Sequence, residues 1–258
     1  MRARPLPRPS VKAGSKGGEK VPGKEGAALD ADHWTAYRDV YAFVGNELLS
    51  PMNRSGCEQG LDPLFWESAP VPENGLGRHG LERLQAYAQA ASAYGGPAGP
   101  DVPGMLQASV EFAHLFIGPP RPAAAPWETM SGPDAPKHVG YGKATVAMRR
   151  LIAEEGLELS HGNRQYEDHI GIELLYLARL CEKAAAEAGA PEDPHEAGGG
   201  DAPSSYAAKA AWFISAHPLR WIGLFRDEVD AQRPEGYYSA LLEYVQGVLE
   251  DHAQALTG

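Results

Sequence analysis

Apolar residues recur every three or four positions through most of residues 30–256. This helical rhythm, interrupted only where proline or glycine intervenes, makes a succession of packed helices the natural solution. No run of alternating β-branched residues competes with it. Trp34, Tyr37, Tyr41, Val44 and Leu48 form one stripe behind Asp30, a good N-cap, and Pro51 stops the run. After a loop containing Pro63, the residues Leu81, Leu84, Tyr87, Ala88, Ala91 and Tyr94 repeat the pattern until Gly95, Gly96 and Pro97. Another helix is expected over residues 105–116, ended by Gly118, Pro119 and Pro120, and a short one over about 144–155. The longest clear helix is expected over about 167–188. It carries Ile170, Leu174, Leu177, Ala178 and Cys181 on one face and Ile172, Tyr176 and Leu180 on another, so it should be central. Tyr206, Trp212 and Phe213 mark a further helix, Pro218 suits the first turn of the next, and a last one runs from Tyr238 to His252. The expected fold class is all-α, a compact multi-helix bundle.

Residues 1–29 stand apart. They hold four prolines, five glycines and no aromatic residue, too little apolar surface to offset chain entropy, and are expected to be a disordered basic tail. Residues 30–258 are expected to form a single helical domain. The formal net charge is −11, yet residues 1–24 carry seven Lys/Arg against Glu19 alone, so that segment is +6 and the remainder −17. A body this acidic repels a phosphate backbone and attracts cationic segments, which argues against nucleic acid and for an arginine-bearing peptide. Two cysteines are too few for a disulfide scaffold, the basic start is not followed by an apolar signal stretch, and no apolar run approaches a membrane span. A cytoplasmic protein without stable membrane insertion is expected. The glycine-rich stretch at 189–204 lacks the Lys-Ser/Thr of a phosphate loop and is given no chemistry.

Three segments bear a family resemblance. The stretch from Glu111 through Leu115, Phe116, Ile117, Gly118 and Pro119 is similar to an aromatic-x-x-Leu-Phe-x-Gly-Pro signature, and Pro126-Trp127-Glu128-Thr129-Met130 follows it as a Pro-Trp-Glu-Ser-Val type of loop does. Asp168-His169-Ile170-Gly171-Ile172-Glu173-Leu174 resembles an Asp-His-Ile-Gly-x-Glu-Leu segment opening a central helix. Phe213, His217, Trp221 and Phe225 resemble a late Phe/His/Trp ladder. Together they resemble the TorD/DmsD (NarJ-like) family of maturation chaperones. One departure is that Gln165, Tyr166 and Glu167 stand where members often have Glu-Pro-x before Asp-His.

The resemblance implies an all-α bundle of the TorD/DmsD type. It also implies a role in which the protein binds the twin-arginine signal peptide or apo-form of a molybdenum-cofactor oxidoreductase subunit, delays its export and assists cofactor insertion. Two guanidiniums followed by an apolar stretch call for carboxylates beside an apolar groove. Asp168 and Glu128 are the expected carboxylates, with Trp127, Tyr166, Leu115 and Phe116 as apolar walls and His169 orienting Asp168 or touching peptide. Asp168 also suits a plain helix N-terminus, and an Asp168→Asn exchange should then barely affect folding. Phe213, Trp221 and Phe225 are read as core, and His217 as a helix boundary.

No catalytic residue, cofactor or metal is expected. His169 and Glu173 lie one turn apart, but two ligands do not make a site. A rival reading is a metal-dependent helical hydrolase with His114, His161, His169 and Glu173 as ligands. Another is a NarJ-type assembly adaptor for a cytoplasm-facing reductase. No Gly-x-Ser-x-Gly turn or nucleophile-base set supports catalysis. The client's identity and a homodimer formed by exchanging helices are left open by the sequence. If the tail neither packs nor supplies carboxylates, deleting residues 1–29 leaves the melting temperature and peptide affinity unchanged; a large loss of either would identify it as a docking arm.

Overall fold

The first helix starts where capping chemistry puts it. The Asp30 carboxylate accepts the His33 N–H at 2.9 Å, and α1 runs over Ala31–Leu49. The computed structural model describes residues 29–93, 103–118, 120–134, 141–159, 165–190 and 205–257. The expectations for residues 1–28, Tyr94 with Gly95, Gly96 and Pro97, Pro119, His161 and the stretch 191–204 lie outside them. The remaining helices are α2 (Met52–Ser55), α3 (Pro63–Glu67), α4 (Gly75–Ala93), α5 (Pro103–Phe112), α6 (Glu128–Ser131), α7 (Lys143–Glu154), α8 (Ile170–Ala188), α9 (Tyr206–Ala216), α10 (Pro218–Gln232) and α11 (Tyr237–Thr257). A 3₁₀ turn at Glu58–Leu61 and a π-helical turn at Ala113–Ile117 complete the set among the described residues. Among the described residues the β-type pairing is one isolated bridge between Trp127 and His169. The protein is all-α.

Three details differ from the sequence reading. Pro63 does not sit in a loop: Asp62 caps a short helix by accepting the Leu64 N–H at 3.0 Å, and the proline occupies its first turn, where a missing N–H costs nothing. The helix expected from 167 begins at Ile170, capped by His169. Among the described residues the longest helix is α11, with 21 residues against 19 in α8.

α8 is buried on both faces, with Ile170, Leu174, Leu177 and Cys181 on one and Ile172, Tyr176 and Leu180 on the other, as its two apolar stripes require. It lies along α1 and also meets α9, while α11 lies along α4 and α10. Tyr41, Val44, Leu48, Phe213, Trp221, Phe225, Leu241 and Val245 join these helices in one cluster of buried side chains. No helix among the described residues is long and apolar enough to cross a membrane.

Glycines set how closely the two long pairs approach. A Cβ on Gly45 of α1 would lie 2.9 Å from the Gly171 carbonyl oxygen of α8, and one on Gly171 would lie 2.6 Å from the Gly45 oxygen. The α4–α11 pair crosses in the same way, with the Cα of Gly77 against the position a Gly247 Cβ would take. Gly171 therefore belongs to the sequence signature because α1 leaves no room for a side chain. Gly171→Ala should destabilise the protein by about 1–3 kcal/mol, the usual range for overpacking, even though alanine is the better helix former by about 1 kcal/mol. A lower denaturant midpoint in chemical unfolding checks it, and an unchanged or higher midpoint would show that the crossing has slack.

Candidate functional site

Two signature segments far apart in sequence are joined by backbone hydrogen bonds. The Glu128 N–H donates to the Asp168 carbonyl at 3.0 Å, and the Ile170 N–H donates to the Pro126 carbonyl at 2.9 Å, closing the Trp127–His169 bridge. The Asp168 side chain completes the junction. One carboxylate oxygen accepts the Thr129 N–H at 2.9 Å at the start of α6, and the other accepts the Thr145 hydroxyl at 3.0 Å from α7. Thr145 in turn accepts the Gly142 N–H at 3.1 Å. One buried carboxylate thus fixes the first turns of two helices.

Its neighbour His169 is the N-cap of α8, its Nδ1 accepting the Gly171 N–H at 3.0 Å. Burial pushes the His169 imidazole down to about 3, so it is neutral and suited to accept. Trp127 lies edge-on to this ring at 5.6 Å, half-buried, with its indole N–H buried and lacking a partner.

The preceding signature explains how the chain arrives. The π-helical turn ends at Gly118, whose N–H donates to the Ala113 carbonyl at 2.7 Å. Gly118 has φ +59°, and a Cβ there would strike the Arg121 carbonyl, so the Leu-Phe-x-Gly pattern marks a reversal open only to glycine. Ala124 returns to donate to the Leu115 carbonyl at 3.0 Å, leading into Pro126.

A cleft of about 700 Å³ opens over α6, lined by Glu128, Thr129, Asp134, Lys143, His217 and Arg220, among others. Glu128 forms part of its floor. One carboxylate oxygen sits 2.9 Å from His217 Nδ1 and the other 3.8 Å from the Arg220 guanidinium. Arg220 also reaches the exposed Asp134 at 3.0 Å, so this guanidinium lies between two carboxylates. Below Glu128 lies Glu173, 0 % exposed, which takes the Trp221 indole N–H on Oε2 at 3.1 Å and has no partner for Oε1. Burial, then the charges of Glu128 and Asp168, hold the Glu173 carboxyl well above the usual carboxylate range.

The residues singled out from sequence divide into three groups. Glu128 faces the cleft, Tyr166 is exposed and meets Tyr141 edge-on, and Trp127 is half-buried beside Glu128. Asp168 and His169 are fully buried, and every Asp168 oxygen already has a protein donor, so a peptide arginine has no open route to it. Leu115 and Phe116 are core, with Phe116 against Phe225 and Tyr238. The apolar walls expected from these two are therefore on the wrong side of the turn, because the π-helical geometry directs them inward. Of the rival hydrolase ligands, His114 is exposed, and His169 spends its Nδ1 on the cap.

Sequence reasoning passed over His217, Arg220 and Thr145. His217 was available in the Phe/His/Trp ladder, but its position before Pro218 made it look like a simple boundary. The geometry also revises the expected mildness of Asp168→Asn. An amide offers one acceptor where the carboxylate offers two, so it leaves a buried donor unsatisfied and should cost about 1–3 kcal/mol. Chemical denaturation checks this, and an Asn variant as stable as the parent would mean that the carboxylate does not carry the junction.

A family model described as the nitrate reductase delta subunit matches residues 78–227, which contain all the residues of this site. Among curated proteins, Chaperone protein TorD of Vibrio cholerae serotype O1 strain ATCC 39315 / El Tor Inaba N16961 is 28 % identical over 135 residues, 52 % of this chain and 56 % of the relative. Chaperone protein TorD of strain M66-2 is 29 % identical over 136 residues, again 52 % and 56 %. The matches span little more than half of either partner, and both relatives are named as chaperones and not as enzymes. The chain belongs to the nitrate reductase delta subunit family, that of the TorD/DmsD/NarJ-like chaperones.

Proposed function

We propose that this protein is a cytoplasmic maturation chaperone that binds the twin-arginine signal peptide or apo-form of a molybdenum-cofactor oxidoreductase subunit, delays its export and assists cofactor insertion. The observation that carries the reading is the Arg220 guanidinium seated between Glu128 and Asp134 at the cleft. A surface that already accommodates one guanidinium between carboxylates has the donor-acceptor geometry to accept another from a client. Tyr166 and Tyr141, exposed beside the start of α7, offer apolar area for the hydrophobic stretch that follows the arginines in such a signal. Family membership and the names of the relatives support a chaperone's role.

In this reading Glu128 and Asp134 receive arginine, while Asp168 and His169 act as the frame that presents Glu128. Trp127 sits between them in the chain, edge-on to His169 and next to Glu128. Residues 30–258 form the binding unit, and residues 1–29 lie outside it. A NarJ-type adaptor role would use the same cleft on a client without a working export signal.

The sign of the Arg220 effect makes the test. Titration calorimetry compares a peptide carrying the client's twin-arginine signal with one in which both arginines are lysines. Glu128→Gln should weaken the arginine peptide about ten- to a hundredfold, the equivalent of one charge-assisted hydrogen bond of about 1.5–3 kcal/mol. Arg220→Ala, which frees both carboxylates, should tighten it. If Arg220→Ala abolishes binding, the cleft reads an anion through Arg220. If the arginine and lysine peptides bind alike to parent and variants, recognition lies elsewhere on the acidic surface.

A further inference from the structure

We infer that Glu128, Glu173 and His217 form a binding site for one divalent first-row cation, zinc or manganese, between α6, α8 and the start of α10. One potential ligand atom from each lies within 4.8 Å of the other two, and all three side chains are buried. Glu128 Oε2 and His217 Nδ1 are 2.9 Å apart, close to the separation of adjacent ligands on an ion with bonds of roughly 2.0–2.2 Å. Two carboxylates and an imidazole are the donor set such ions accept, without the thiolates of a structural zinc site.

The second observation is independent of the clustering. Glu173 Oε1 has no hydrogen-bond partner although the side chain is 0 % exposed, and a buried carboxyl oxygen left unpaired costs free energy that a ligand would offset. The other oxygen is oriented by the Trp221 indole N–H at 3.1 Å, the kind of outer contact that aims a carboxylate at an ion. The open side of the site is the cleft, where Glu128 and His217 are lining residues, so an ion has an entry path and room for water ligands.

The charged and titratable groups around Glu173 are Glu128 from α6, Asp168 before α8, His217 ahead of α10 and, beyond Glu128, Arg220. His169, one helical turn before Glu173, caps its helix, and the histidine that lies near Glu173 is His217, 44 residues further along the chain.

The test uses the full chain stripped with chelator and titrated with zinc or manganese salts. One equivalent should bind, as a saturable calorimetric titration. Glu173→Gln, which removes the carboxylate while keeping its shape, and His217→Gln should each weaken binding tenfold or more. Trp221→Phe, which removes only the orienting donor, should weaken it by about ten- to a hundredfold. His79→Gln, an exposed histidine beside Glu243, should leave binding unchanged. Circular dichroism and the melting temperature establish that each variant is folded. Binding that survives both Glu173→Gln and His217→Gln in folded protein, or no saturable binding by the parent, overturns the assignment.

Discussion

The Asp168 carboxylate is the contact on which the site depends. Its two oxygens take a backbone N–H from the start of α6 and a hydroxyl from the first turn of α7, while its own carbonyl receives the Glu128 N–H. α6 has only four residues, far too few to persist by its own hydrogen bonds. Held at its N-terminus by Asp168, it can present Glu128 to the cleft and to His217 at once. The anion also opposes the partial positive charge at that N-terminus. A residue that reads in sequence as a binding carboxylate is thus spent inside the protein, where it holds the short helix that carries Glu128 to the cleft.

The helix pattern was legible wherever apolar stripes were long enough to repeat, as in α1, α8 and α11. It was not legible for α3 and α6. Helices of four or five residues contain hardly more than one turn, so they have no period to detect, and caps supplied by tertiary contacts decide them. Asp62 before Pro63 was the local signal for α3, a cap followed by proline in the first turn. The start of α8 shows the opposite case. Asp168 had the better capping chemistry, yet His169 caps, because Asp168 is recruited by Thr129 and Thr145 from segments a sequence reading cannot bring near.

The signature segments were legible as candidates, but their division of labour was not. Gly118 and Gly171 are required by backbone approach, Leu115 and Phe116 by the core, and Asp168 and His169 by the junction. Glu128 reaches the cleft. The signature therefore mixes residues buried in the frame with one that lines the cleft, and their burial separates the two. His217 and Arg220, which meet Glu128, come from the start of α10, and only the packing of α10 on α6 reveals them.

Glu128 faces two ways, and this sets a relation between the two proposed ligands. Its Oε2 points inward to His217 and its Oε1 outward to Arg220. A cation bound on the inner oxygen would withdraw negative charge from the outer one, and both would lie in a partly buried setting where screening is weak. A guanidinium in the cleft and a divalent ion below it would therefore oppose each other through the same carboxylate. By linkage the opposition is reciprocal, so each would lower the other's affinity by the same factor.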